Sequence, residues 1–143
     1  METEMIIRLL LATVFGGAIG YVRELTKKAA GLRTHTLVCL GSTIFTLVSI
    51  YIAKDISGAD PSRIAASVVT GIGFIGAGTI FQTGGSVRGL TTAASIWVCA
   101  SIGLAVGVGL YTLATFATIL SLLIIQLLQV VEKKYLRESE REG

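Results

Sequence analysis

Apolar segments of nearly bilayer-crossing length alternate with short polar stretches along the chain. The segments are residues 5–22, 35–53, 63–82, 90–107 and 110–131. A helix needs about 20 apolar residues to cross the hydrocarbon core, so the pattern predicts an all-α integral membrane protein with about five transmembrane helices. The last two segments nearly touch, and Gly109 between them predicts a tight helical hairpin. We expect one transmembrane domain over residues 1–131, followed by a charged cytoplasmic tail over 132–143.

Composition supports a membrane protein. Of the 143 residues, 52% are hydrophobic and 15% are charged, and the mean hydropathy is +0.78, whereas soluble domains are roughly a quarter charged. The first segment starts acidic and is longer than the apolar part of a signal peptide, so we interpret it as a retained span. The net charge of +3 lies mostly in loops and tail, which favours lipid headgroup contacts over nucleic-acid binding.

The distribution of basic residues predicts the orientation. Two of them, Lys54 and Arg63, fall on one side of the predicted spans, and Arg8 lies within the first span. The other side receives Arg23, Lys27, Lys28, Arg33, Arg88, Lys133, Lys134, Arg137 and Arg141. Basic loops stay in the cytoplasm, so we expect an outside N-terminus and a cytoplasmic C-terminus. For the helix starts, we expect caps at Thr34, at Asp60 before Pro61, and at Thr91 or Thr92.

Glycines are concentrated between residues 71 and 89, and three readings of them are possible. "GIGFIG" matches a dinucleotide-binding string, but no strand is predicted before it and no Asp or Glu occurs from Pro61 to Val131, so we reject a nucleotide site. Small residues let membrane helices approach closely. We assign this packing role to Gly16, Gly20, Gly71, Gly73, Gly76, Gly78, Gly103 and Gly107. "QTGGSVRG" is the best candidate for backbone that leaves the helical conformation.

No catalytic or metal-binding set emerges from the residue spacing. A Ser-His-Asp set is excluded because the spans after Asp60 lack carboxylates. His35 is the lone histidine, and we expect it to cap a helix or face water. Cys39 and Cys99 are expected to be buried thiols. The sequence therefore predicts no enzyme, no metal site and no cofactor.

Arg88 suggests an anion site, because a cation at a helix start lies at the unfavourable end of the helix dipole. Ser86, Thr91, Thr92 and the free N–H groups of residues 89–92 could form a cradle with its guanidinium. Arg33 and Thr34 repeat the arrangement at the second span. With Arg23 and Glu24, these residues predict a cytoplasmic pocket for an anionic group such as a lipid phosphate. The alternative is that the arginines only reach headgroups and set topology.

Four motifs taken together resemble the membrane domain of the MgtC/SapB family. They are "GGAIGYVRE", "GLRTHTLVCLGS", "DPSRIAASVVTGIGFIGAG" and "SVRGLTTAASIWVCASIGLAVGVG", within about residues 8–125. The resemblance implies a multi-pass protein of the bacterial inner membrane, linked to magnesium limitation and stress adaptation, that restrains the F-type ATP synthase. By motif it points to Arg23 with Glu24, Arg33 with Thr34, Asp60 with Arg63, and Arg88 with Thr91 and Thr92.

Two functions follow as hypotheses. The first is a non-enzymatic regulator that binds a membrane partner, with the ATP synthase as the candidate. The second is a channel or transporter for Mg²⁺ or another ion. Mg²⁺ prefers oxygen ligands, usually carboxylates, and their absence from Pro61 to Val131 favours the regulator. Membrane lipids are expected ligands, and the glycine pattern predicts a homodimer.

Overall fold

Helices make up nearly all of the structure, with one short hairpin between the third and fourth. The computed structural model describes residues 2–56 and 58–139. The elements are α1 (Glu2–Leu25), α2 (Leu32–Asp55), α3 (Ser62–Ala77), β1 (Phe81–Thr83), β2 (Ser86–Arg88), α4 (Leu90–Val108) and α5 (Tyr111–Ser139). Among the described residues, four helices are long and apolar enough to cross a membrane, namely α1, α2, α4 and α5. Of the predicted tail, residues 140–143 lie outside the described residues.

The third predicted span, 63–82, is too long. α3 has 16 residues, which extend for about 24 Å and fall short of a roughly 30 Å hydrocarbon core. After a turn, β1 pairs with β2 in an antiparallel hairpin in which Thr83 lies opposite Ser86. Gly84 and Gly85 join the strands with φ angles of 57° and 82°, the positive values that a two-residue hairpin turn requires. The predicted loss of helix in this stretch is confirmed, but the all-α prediction omitted the hairpin.

The closest helix contacts are made by glycines on α1 and α4 against α2. A Cβ added at Gly16 would lie 2.7 Å from the His35 carbonyl oxygen, and one at Gly20 would lie 2.7 Å from Leu32 Cα. At Gly107 it would lie 2.5 Å from Thr46 Cβ, and at Gly103 it would overlap the backbone of α2. Because no side chain fits at these crossings, α1 and α4 pack with their backbones close to α2. These three helices form the core of the bundle.

The glycines predicted to pack in and after α3 have different surroundings. Gly76 lies over Ala93 of α4, with its would-be Cβ 3.5 Å from the alanine Cβ. Gly78 lies near carbonyl oxygens of its own helix. An added Cβ at Gly71 or Gly73 would meet nothing within 4 Å. Neither glycine is therefore needed for a close contact within this chain: Gly71 borders an open groove between α2 and α3, and Gly73 is exposed on α3.

Polar contacts show that the helices run back and forth between two ends of the bundle. At one end His35, near the start of α2, bonds Ser95, near the start of α4. At the other end Arg8 of α1 bonds the Gly107 carbonyl near the end of α4. α3 connects the two ends. We call the first the Arg23 end and the second the Arg8 end.

The predicted helix caps are only partly correct. The Asp60 carboxylate accepts hydrogen bonds from the hydroxyl and the backbone N–H of Ser62, and these bonds lower the pKa of Asp60. Thr34, Thr91 and Thr92 do not cap, because α2 and α4 already begin at Leu32 and Leu90. Between α4 and α5 the Gly109 and Leu110 N–H groups bond carbonyls of the last turn of α4, which confirms the predicted tight hairpin.

Candidate anion site

Arg23 is a buried cation in the last turn of α1. Its side chain is only 1% exposed, and its Nη2 donates a hydrogen bond to Thr92 Oγ1 of α4. Its Nε has no hydrogen-bond partner among the described residues, and no described carboxylate lies within ion-pairing distance of it. The end of α1 is the favourable pole of that helix for a cation. The guanidinium nevertheless keeps an unused donor in the interior.

Beside it, His35 ties α2 to α4. Its Nδ1 lies 2.9 Å from the Gly31 carbonyl oxygen and its Nε2 lies 3.0 Å from Ser95 Oγ. The Gly31 carbonyl can only accept, so Nδ1 donates to it. Ser95 Oγ lies within hydrogen-bond distance of both His35 Nε2 and the Thr92 carbonyl, at 2.8 Å from the latter. The Cys99 thiol donates to the His35 carbonyl at 3.2 Å. The prediction that His35 caps a helix or faces water is therefore wrong, since the ring is buried between helices.

A cavity of about 600 Å³ opens beside Arg23 at the start of α4. Its cationic and hydroxyl lining comes from Arg23, Lys28, Thr91 and Thr92. The remaining lining residues are Val87, Gly89, Leu90, Ile124, Ile125, Leu128, Gln129 and Val131. We call this the Arg23 cavity. No side chain caps the first turn of α4, so backbone N–H groups of that turn add positive potential there.

The structure brings together only some of the predicted site residues. Arg23, Thr91 and Thr92 line the Arg23 cavity. Glu24 does not hold an arginine; its carboxylate accepts the Leu32 N–H at 3.0 Å and closes the turn between α1 and α2. That turn is closed tightly enough that a side chain at Gly31 would overlap the carboxylate.

The other predicted site residues lie elsewhere. Arg33 is exposed on the first turn of α2 and Thr34 follows it, while Ser86 and Arg88 are exposed on the hairpin. None of these four residues lines the Arg23 cavity. The arginine cradle predicted around Arg88 is thus replaced, in the described structure, by a cavity around Arg23.

The sequence reading missed Lys28 and Gln129 as lining residues and His35 and Ser95 as the supporting pair. In the sequence, Lys28 contributes only to the count of basic residues that predicts the orientation. The signal for it is its place in the turn after Arg23, where its backbone N–H bonds the Arg23 carbonyl at 3.1 Å. Ser95 lies three residues after Thr92, which puts both hydroxyls on the same face of α4.

A second polar cluster lies at the Arg8 end. Arg8 donates to the Glu4 carboxylate, to the Tyr111 hydroxyl at 3.1 Å and to the Gly107 carbonyl at 2.6 Å. Its guanidinium also lies 6.0 Å from the centre of the Tyr111 ring. All these groups pair with one another, in contrast to Arg23, so this cluster joins α1 to the α4–α5 turn.

Comparison with known protein families shows which family the chain belongs to. The profile of the MgtC family matches residues 9–134, which include α2, α3 and α4 and most of α1 and α5. The chain belongs to the MgtC family. No solved structure matches it.

Curated MgtC-family relatives share the same region. The chain is 50% identical over 131 residues to "Putative magnesium transporter YhiD" of Escherichia coli K12, covering 88% of this chain and 61% of that protein. It is 43% identical to "Protein MgtC" of Brucella abortus strain 2308, over 88% of this chain and 53% of that protein. With "Protein MgtC" of Salmonella typhimurium it shares 45% identity, over 82% and 49%. The chain thus spans between about half and three fifths of these relatives.

The name "Putative magnesium transporter" of the Escherichia coli relative raises the question of a magnesium site. In the part of the chain that the structure describes, no three His, Cys, Asp or Glu residues come together in a way that could hold a metal ion. The charged side chains of the Arg23 cavity are cations. The Arg23 cavity is therefore lined by positive rather than negative side chains.

Proposed function

We propose that this protein is a non-enzymatic regulator in the bacterial inner membrane that binds a membrane partner or lipid through an anionic group at the Arg23 cavity. The observation that carries the proposal is the buried Arg23 side chain with its unused Nε donor. Burying a charge without a partner costs several kcal/mol. An anion in the cavity beside Arg23 would offset that cost through its attraction to the guanidinium charge.

The charges around the cavity support an anion over Mg²⁺. Arg23 and Lys28 both line it, and two cations repel a third positive charge. Mg²⁺ also releases its water reluctantly and is usually held by carboxylates. The sequence has no carboxylate between Pro61 and Val131, the stretch that contains α3, α4 and the apolar part of α5.

The F-type ATP synthase is the membrane partner we propose to test first, on the strength of the family resemblance. The experiment measures ATP-driven proton pumping in inverted membrane vesicles with and without the protein. We expect the protein to reduce pumping and Arg23→Gln to relieve the reduction. Arg33→Gln removes a neighbouring exposed charge outside the cavity and should behave like the original protein. Pumping that is unchanged by the protein would contradict the choice of partner.

The second candidate function is an ion channel or transporter, for Mg²⁺ or another ion. Besides the name of YhiD, one structural observation favours it, a row of buried hydroxyls along α2 formed by Ser42, Thr43, Thr46 and Ser49. Three of them donate to backbone carbonyls at 2.7–3.0 Å, so the row is engaged within the fold. Ion flux through liposomes separates this candidate from the regulator.

A homodimer is the assembly we propose for either function. The exposed surface of α3 at Gly73 supports it, because small residues on a membrane helix allow a second helix to approach closely. Cross-linking through cysteines introduced at Thr70 and Ala77 tests the dimer. Failure of both cysteines to cross-link would contradict an α3 interface.

A further inference from the structure

We infer that the Arg23 cavity is a phospholipid site, with the lipid phosphate at Arg23 and Lys28 and an acyl chain in the apolar chamber beside it. This inference rests on the anion site of the proposed function and names its ligand as an anionic phospholipid. It is carried by two adjoining spaces of opposite character, one cationic and one apolar.

The phosphate would lie where donors converge. Arg23 lines the cavity, and its guanidinium, which bonds Thr92 through Nη2, can form charge-assisted hydrogen bonds to a phosphate. Lys28 lines the same cavity from the exposed turn after α1. The uncapped first turn of α4 contributes N–H groups, which favour an anion. Charge-assisted bonds of this kind are the strong ones in proteins.

The acyl chain would lie in a smaller chamber that adjoins the cavity. The chamber has a volume of about 130 Å³ and is lined by Ile19, Thr91, Ala94, Ser95, Val98, Ser121, Ile124 and Ile125. Thr91, Ile124 and Ile125 also line the Arg23 cavity, so the two spaces share a wall on α4 and α5. Beyond them α5 exposes Leu120 and Leu127, an apolar surface along which the rest of a chain could run.

The apolar share of the lining distinguishes a lipid from free phosphate. Val87, Leu90, Ile124, Ile125, Leu128 and Val131 face the same space as the two cations. Free phosphate would contact the same donors but would leave these apolar side chains without an apolar partner. The phosphodiester of a phospholipid brings its own apolar chains to them. The lining therefore matches a molecule that is anionic at one end and apolar at the other.

The test measures binding to the full-length protein in a zwitterionic detergent, by native mass spectrometry and thermal stabilisation. The probes are phosphatidylglycerol, phosphatidylcholine, inorganic phosphate and glycerophosphoglycerol, which is the phosphatidylglycerol headgroup without acyl chains. We expect phosphatidylglycerol to bind best. A hydrogen bond to a charged group contributes about 1.5–3 kcal/mol, so Arg23→Gln should weaken its binding by about tenfold to a hundredfold.

Three further variants keep the test decisive. Lys28→Gln changes an exposed lining residue, so it reports on the phosphate contact even if Arg23→Gln does not fold. Ser121→Leu fills the apolar chamber and should weaken phosphatidylglycerol binding without changing any charge. Arg33→Gln removes an exposed charge outside the cavity and should leave the binding unchanged.

The possible results separate the ligand from the anion site itself. Equal, Arg23-dependent binding of phosphatidylglycerol, glycerophosphoglycerol and inorganic phosphate would overturn the phospholipid while leaving the proposed anion site intact. Binding of phosphatidylglycerol that is the same in Arg23→Gln, Lys28→Gln and Arg33→Gln would overturn both. Selective binding of phosphatidylglycerol that Ser121→Leu and Lys28→Gln each weaken would establish the inference.

Discussion

Thr92 carries the contact on which the position of Arg23 depends. Its hydroxyl accepts the Arg23 Nη2 hydrogen bond, and its side chain is buried. The neighbouring Thr91 is exposed, although it lines the same cavity. One of two adjacent threonines thus supports the arginine from inside the bundle, and the other borders the open space.

The adjacent threonines provide a matched test of that support. Thr92→Val keeps the side-chain shape but leaves Arg23 Nη2 without its acceptor. An unsatisfied buried donor costs about 1–3 kcal/mol, so we expect a loss of that size in the free energy of unfolding, measured in detergent micelles. Thr91→Val should change it by less than about 0.5 kcal/mol. Equal losses in the two variants would show that the Arg23–Thr92 bond does not stabilise the fold.

Gly103 shows how close α4 lies to α2. An added Cβ would overlap the Cys39 carbonyl and come within 2.9 Å of Ser42 Cβ. We expect Gly103→Ala to lower the free energy of unfolding by about 1–3 kcal/mol, the usual cost of overpacking.

Gly71→Ala is the control for that substitution, because an added Cβ there meets nothing within 4 Å. In a helix alanine is favoured over glycine by about 1 kcal/mol, so this variant should be neutral or more stable. The same thermal unfolding measurement serves for both. A Gly71→Ala variant as unstable as Gly103→Ala would contradict the described packing, or reveal a second chain against α3.

Among the helices, α4 has the most constrained start. Gly89 precedes it with a φ of 91°, and a Cβ there would overlap the Thr79 carbonyl. The two ends of the hairpin are therefore closed tightly against each other at this glycine. Val87 and Gly89 line the Arg23 cavity, so the conformation of the hairpin determines one wall of the site.

A pair of glycines with similar φ angles tests this constraint. An added Cβ at Gly85 would lie in open space, so Gly85→Ala should lower the free energy of unfolding only through its positive φ, by about 1–2 kcal/mol. Gly89→Ala has the same cost from positive φ and in addition clashes with the Thr79 carbonyl, which adds about 1–3 kcal/mol. We expect Gly89→Ala to be the less stable variant in thermal unfolding and the more rapidly cleaved by protease at the hairpin. The opposite order would show that the base of the hairpin is not closed at Gly89.

The sequence predicted the long helices well because each is a long apolar run with a clear polar end. It did not predict the end of α3 or the hairpin. The apolar run continues through Ile80 and Phe81 after the helix has stopped at Ala77, so hydropathy alone places the boundary too late. The Gly84–Gly85 pair was the correct local signal for a turn, but flanking strands of three residues are too short to show a pattern.

The site was only partly predictable, for reasons of side-chain direction. His35 faces α4, and residues two apart on a helix do not share a face, so Arg33 points elsewhere. Val87 lines the cavity, and successive residues of a strand point to opposite faces, so Arg88 points away from it. The sequence offered Arg23, Arg33 and Arg88 together as candidates, whereas only three-dimensional packing shows which of them lines the cavity.

Considered together, the described helices place polar groups at the two ends of the bundle in different ways. At the Arg8 end, Arg8 is paired with Glu4 and bonded to Tyr111 and α4. At the Arg23 end, the buried cation keeps an unused donor and adjoins a cavity that also has Lys28 in its wall. This asymmetry supports the proposal that the Arg23 end is where the protein meets an anionic ligand, and that the chain does not conduct ions between its ends.

Ion flux from liposomes containing the purified protein tests that claim most directly. Mg²⁺, Na⁺, Cl⁻ and phosphate are measured separately, with protein shown to be folded by thermal unfolding and with Arg23→Gln and Arg33→Gln alongside. The account predicts flux no greater than in empty liposomes for every ion. Protein-dependent flux of any of these ions that Arg23→Gln changes and Arg33→Gln leaves intact would contradict it and make the Arg23 cavity part of a conduction path.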